Sequence, residues 1–122
     1  MIIEKIQDDL KKKIYSCTDM VKKHLDIILK ENAKLNAFIS MCRDEAIKQA
    51  ENIDKDIQNN IPLKPLSGII FGVKDNILVK DTITTAGSKI LEDYVAPYDA
   101  TVIKKIKEAG GIIIGKTNLD EF

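Results

Sequence analysis

Lys74 follows a five-residue apolar run, Ile69-Ile-Phe-Gly-Val73. Such a run, with no alternation, predicts a strand buried on both faces. The ends of such strands are where ligand sites gather in α/β folds. An ammonium held against apolar walls is poorly solvated, which favours the neutral amine, and a neutral lysine can serve as a general base. Ser-Lys arrangements use this logic to activate a hydroxyl without histidine, and the chain has a single histidine, His24. The competing expectation is a strand-end lysine that reaches solvent and pairs with a carboxylate such as Asp75. Asp75 and Asn76 read as turn-ordering residues, because their short polar side chains cap backbone amides.

A second pattern has the spacing of a phosphate loop: Gly110, four residues, then Gly115-Lys-Thr117. The intervening Gly-Ile-Ile-Ile is strand-like, and β-branched residues in a buried strand cannot wrap their amides around a phosphate. The pattern is read instead as a helix stop at Gly110-Gly111 and a strand, Ile112–Ile114, closed by Gly115. Zinc takes about four ligands, and Cys17, Cys42 and His24 at their spacings do not make a site. No metal- or cofactor-binding residue is expected in this chain.

The elements that must position Lys74 follow from periodicity. Ile2, Ile3, Ile6 and Leu10 mark one helical stripe. A second helix is expected from an N-cap at Thr18 to about Lys30, with Val21, Leu25, Ile28 and Leu29 as its apolar positions. Lys34 to Ser40 looks extended, offering Phe38 and Ile39 for burial. A third helix is expected over Arg43 to Gln58, ended by Asn59-Asn60-Ile-Pro62. Thr82 to Thr85 suggests a short extended piece. Asp99 is the expected N-cap of a helix over about 100–109, with Val102, Ile103 and Ile106 inward. The fold class is therefore α/β, with a helical region over 1–60 followed over 61–122 by the first strands and helices of a mixed sheet. Two strands of the buried type are too few for a covered sheet, so a truncated chain is expected.

Composition bounds the partners. The 122 residues are 44% hydrophobic and 31% charged, with 19 basic and 19 acidic side chains. This is a globular balance without a global field for nucleic acid or anionic membrane. Lys11-Lys-Lys13 reads as a solvated helix end. No apolar run approaches the roughly 20 residues that span a bilayer. Two distant cysteines and no export signal suggest free thiols in a reducing cytoplasm.

Leu66-Ser-Gly-Ile-Ile-Phe-Gly-Val-Lys-Asp-Asn76 resembles the lysine motif of the amidase signature family. The likeness continues through Thr84-Thr-Ala-Gly-Ser-Lys-Ile-Leu91, Pro97-Tyr-Asp-Ala-Thr-Val102 and Ala109-Gly-Gly-Ile-Ile-Ile-Gly-Lys-Thr-Asn-Leu-Asp-Glu-Phe122. Within the family these pieces are similar to the glutamine-hydrolysing subunits of tRNA-dependent amidotransferases. The resemblance implies a Ser-cisSer-Lys triad in which Lys74 is the catalytic lysine. It places both serines beyond Phe122, so the chain alone is expected to be inactive; Ser67 and Ser88 are not substitutes. It further implies glutamine as ammonia donor and the amidotransferase subunits B and C as partners. ATP would be used by the complex rather than by this chain, and Glu-tRNA(Gln), with Asp-tRNA(Asn) in some organisms, would be the acceptor. Ile70 stands where many relatives carry proline, a change expected to affect strand pairing only. Two alternatives stay open: another amide hydrolase of the family, and a non-catalytic module whose helices bind a partner.

Overall fold

The computed structural model describes residues 2–35, 38–74, 77, 79–80 and 99–117. Helix α1 spans Ile2–Lys11, α2 Cys17–Leu35, α3 Arg43–Gln58 and α4 Thr101–Glu108; strands β1, β2 and β3 span Phe38–Met41, Ile70–Lys74 and Ile112–Thr117. The three strands form one mixed sheet in the order β1-β3-β2. Strand β3 is antiparallel to β1 and parallel to β2. The class is α/β, as the alternation of elements requires. The third strand is Phe38–Met41, so a segment read only as extended joins the two recognised from their apolar runs.

Side chains of β3 alternate between two cores, as a pleated central strand must. Ile112 and Ile114 pack with Leu10, Val21, Leu25, Ala46, Ala50 and Ile53 from α1, α2 and α3. Ile113 packs on the opposite face with Val73, Val79 and Ile103. Helices therefore cover both faces. The stripe of α3 supplies the expected contacts; on α4 Ile103 and Ile106 turn inward, but Val102, expected beside them, is 50% exposed on the flank of the helix. Along α1 the stripe fades: Leu10 is buried but Ile2 is largely exposed.

The second helix begins and ends differently from expectation. Its N-cap is Ser16, whose Oγ accepts the Asp19 N–H at 3.0 Å. Thr18 lies inside the first turn and donates its hydroxyl to Asp54 Oδ2 at 2.6 Å. Asp54, on α3, also accepts the N–H groups of Cys17 (2.7 Å) and Thr18 (3.0 Å). Three of the amides that a helix start leaves unpaired are thus satisfied, two of them by a carboxylate from a neighbouring helix. At the other end, Glu31 to Leu35 are adequate helix formers with no breaker among them, so α2 continues past Lys30. Asn32 then accepts the Phe38 N–H and donates to the Phe38 carbonyl, both at 2.8 Å, which fixes the entry into β1.

Asp54→Ala is expected to destabilise the fold by about 2–3 kcal/mol, since it removes an N-terminal cap made of charge-assisted bonds. A urea melt would read this, and an unchanged midpoint would show that α2 does not depend on Asp54. The same contact bears on Cys17, which is fully buried. Burial, with a smaller push from Asp54, raises its thiol from 9.0 to about 12. Because the folded value lies above the unfolded one, this stability is complete below pH 9 and is lost as pH rises from 9 toward 12. Stability should fall over that window in the parent chain and fall less in Cys17→Ala; identical slopes would refute the assignment.

Ile70 illustrates why a proline is compatible with this position. Ile70 pairs with Ile112, and the Ile112 N–H bonds to the Ile69 carbonyl at 2.9 Å. In a parallel ladder this geometry aims the Ile70 N–H away from β3. A residue without that donor would lose no bond to the neighbouring strand.

Candidate active site

Lys74 is the last residue of β2 and pairs with Thr117, the last residue of β3. It therefore stands at the carboxyl end of the parallel pair, the side where α/β sheets place their ligands. Its side chain is exposed, so the described residues do not build the apolar wall expected around it. The Ile77 N–H bonds back to the Lys74 carbonyl at 3.0 Å. Asp75, Asn76, the Thr82 to Thr85 piece, Ser88 and the stretch from Asn118 to Phe122 lie outside the described residues.

Ser67 lies before β2, at the opposite end of the strand from Lys74. It is 3% exposed, and its Oγ accepts the Lys64 N–H at 2.9 Å. Its role there is to hold a turn. His24 is exposed on α2 with Nδ1 2.8 Å from the Met20 carbonyl. The run Lys11 to Lys13 is exposed at the end of α1.

The strand β3 does not stop at Gly115. It continues through Lys116 to Thr117 because one extra residue is accommodated opposite β2: Phe71 pairs with Ile113, but Gly72 pairs with Gly115. Such a bulge reverses the alternation. Lys116 now pairs with Val73 and shares its face, while Thr117 shares the face of Lys74 and Gly72. A Cβ placed at Gly72 would meet Phe38 and Thr117 at 3.2 Å, which confirms that grouping. With residues 112–117 engaged in the ladder, their amides cannot form a phosphate cradle.

Lys116 is 0% exposed, a location in which lysine is rarely found. Sequence reasoning passed over it, since Gly-Lys-Thr carries no local sign of burial. Its charge and that of Lys107 act on Cys42, although burial dominates and raises the Cys42 thiol. Cys42 lines a cleft of about 540 Å³ between the start of α3, Val79–Lys80, Lys107 and Ile113; Lys74 is not among its lining residues. The candidate catalytic residue thus lies outside this cleft. Asp99 does not cap α4. Ala100 occupies that position without a side-chain bond, and the Asp99 carboxylate instead binds the Lys80 N–H and the Lys107 ammonium.

The fold and the motif-bearing strand agree with known proteins. The family model Amidase matches residues 19–122, and the chain belongs to that family. Among its relatives, a glutamyl-tRNA(Gln) amidotransferase A-subunit of Clostridium acetobutylicum, the second of that name, is 43% identical over 122 residues, covering all of this chain and 26% of that protein. The A-subunit from Clostridium botulinum strain Okra is 48% identical over 96% of this chain and 24% of its own length. The chain therefore spans about a quarter of the curated relatives it matches. Among solved structures, the peptide amidase of Stenotrophomonas maltophilia superposes with a TM-score of 0.86 at 30% identity, over 94% of this chain and 24% of that one. A bacterial aryl acylamidase gives 0.85 at 25% identity, over 93% and 24%.

Proposed function

We propose that this chain supplies the lysine base of an amide-hydrolysing site, and that the amide is glutamine. The observation that carries this is the placement of Lys74 at the carboxyl end of β2, inside a segment similar at 43–48% identity to subunits named for glutamyl-tRNA(Gln) amidotransferase. In this reading the neutral lysine withdraws a proton through one serine, and a second serine attacks the amide carbonyl. Both serines come from residues that this chain does not contain. Ammonia leaves, and water hydrolyses the acyl ester. Of the partner subunits B and C, the first uses ATP and this ammonia to amidate Glu-tRNA(Gln), and the second stabilises the assembly. Free thiols at Cys17 and Cys42 support a cytoplasmic setting. Among the described residues no helix is long and apolar enough to cross a membrane.

The test is a fusion in which these 122 residues replace the matched first quarter of the Clostridium acetobutylicum relative, expressed with subunits B and C from that organism. Glutamine-dependent ammonia release by the fusion is the expected result. Release from peptide amides but not from glutamine would move the substrate assignment to the other branch of the family. A folded fusion that hydrolyses neither would defeat the reading.

A further inference from the structure

Asp99 was expected to cap a helix, and its actual partners give it another task. Its Oδ1 accepts the Lys80 N–H at 2.7 Å. The Lys107 ammonium lies 3.2 Å from each of its oxygens. The pair is largely withdrawn from solvent, with side-chain exposures of 23% for Lys107 and 13% for Asp99. Lys80 is six residues beyond Lys74. Between them the Ile77 N–H bonds to the Lys74 carbonyl, and Val79 is buried against Val73, Ile103 and Ile113. Beyond the strand that carries Lys74, the described residues are therefore held in three ways: Ile77 by that backbone bond, Val79 by an apolar contact and Lys80 by one carboxylate. That carboxylate is fixed in turn by a lysine on α4.

We propose that Asp99 is a positioning residue for Lys74, acting through the Lys80 amide, with Lys107 holding the carboxylate in place. This rests on the functional reading above. A reacting group must be held to within a fraction of an ångström, and misplacement by about 1 Å can cost on the order of 100-fold. β3 holds the Lys74 backbone through its pairing with Thr117, and beyond Lys74 the Ile77 hydrogen bond, the buried Val79 and the Lys80 amide add the remaining restraint. What matters in this account is an acceptor for the Lys80 N–H, and a neutral side-chain amide also provides one.

The experiment uses the same fusion with Asp99→Ala, Asp99→Asn and Lys107→Met, reading kcat, KM for glutamine and Tm. Asp99→Ala is expected to lower kcat by about 10- to 100-fold, with KM within about two-fold of the parent. Asp99→Asn should recover kcat to within about three-fold of the parent, since its oxygen still accepts the Lys80 N–H. Lys107→Met should lower Tm more than kcat. Should Asp99→Ala not fold, the decisive comparison is Asp99→Asn. A folded Asp99→Asn with kcat as low as that of Lys74→Ala would overturn the proposal. So would Asp99→Ala with unchanged kcat. Either result in a fusion whose ammonia release depends on Lys74 leaves the functional reading standing, whereas an inactive parent fusion defeats that reading first.

Discussion

Replacing Lys74 with alanine in the fusion is expected to reduce glutamine-dependent ammonia release by at least about 1,000-fold, and replacing it with arginine should be equally damaging. The magnitude follows from what a base does in such a site: general base catalysis contributes about 100- to 10,000-fold, and members of a triad act as a unit. The arginine variant is the sharper of the two. It keeps the positive charge and most of the reach, but a guanidinium is not deprotonated in proteins and cannot accept a proton from serine. If Lys74 only contributed a cation at an exposed strand end, Lys74→Arg would be close to wild type. Exposure of Lys74 in this structure also predicts that neither variant perturbs folding. The register of β2 on β3 depends on backbone bonds and on Ile70, Phe71 and Val73, and the Lys74 side chain is absent from both buried clusters. A loss of activity with unchanged Tm would separate chemistry from stability. Activity within about ten-fold of the parent in Lys74→Arg would remove the lysine from the role of base.

What was legible in the sequence was set by burial that local pattern can report. Ile112 and Ile114 face one core and Ile113 the other, so an uninterrupted apolar triplet could only be a covered strand. Helix α3 runs from Arg43 to Gln58, the expected span, because its stripe is regular and Asn59-Asn60 ends it. Three of the failures share one cause, a partner far away in sequence or in another strand. Thr18 has the right chemistry for a cap, yet its hydroxyl is taken by Asp54, 36 residues on. Asp99 likewise turns from α4 to Lys80, 19 residues back. Gly115 and Lys116 look like the end of a strand, and only pairing with β1 and β2 carries β3 through them. At the site, the motif singled out Lys74 and the structure puts it at the carboxyl end of a parallel strand. Its expected apolar surroundings could not be read from a local run, since walls around a strand end come from other segments.

Gly110→Ala is expected to cost about 3–4 kcal/mol, the largest loss of stability from a single methyl group in the described part. Two physical terms add. Gly110 has φ +93°, a conformation that costs a residue with a Cβ about 1–2 kcal/mol. The added carbon would also lie 2.5 Å from Ser67 Oγ and 3.0 Å from the Ser67 Cα and N. Backbone atoms cannot swing aside, and overpacking of this kind costs about 1–3 kcal/mol. The glycine is required because α4 ends in a tight paired closure, with the Gly110 N–H on Lys107 O at 3.0 Å and the Gly111 N–H on Ile106 O at 2.8 Å. The preceding Ala109 carbonyl accepts the Leu66 N–H at 2.8 Å. The end of α4 is thereby joined to the turn that launches β2. Gly110→Asn discriminates between the two terms, since asparagine tolerates the left-handed region but still carries a Cβ. If conformation alone mattered, Gly110→Asn would recover most of the loss; the contact with Ser67 predicts that it stays at least about 2 kcal/mol below the parent in urea unfolding. In the fusion, Gly110→Ala should also lower kcat at temperatures where the protein remains folded. The displaced Leu66–Ser67 turn shifts β2 along β3, and Lys74 is carried on the end of that strand.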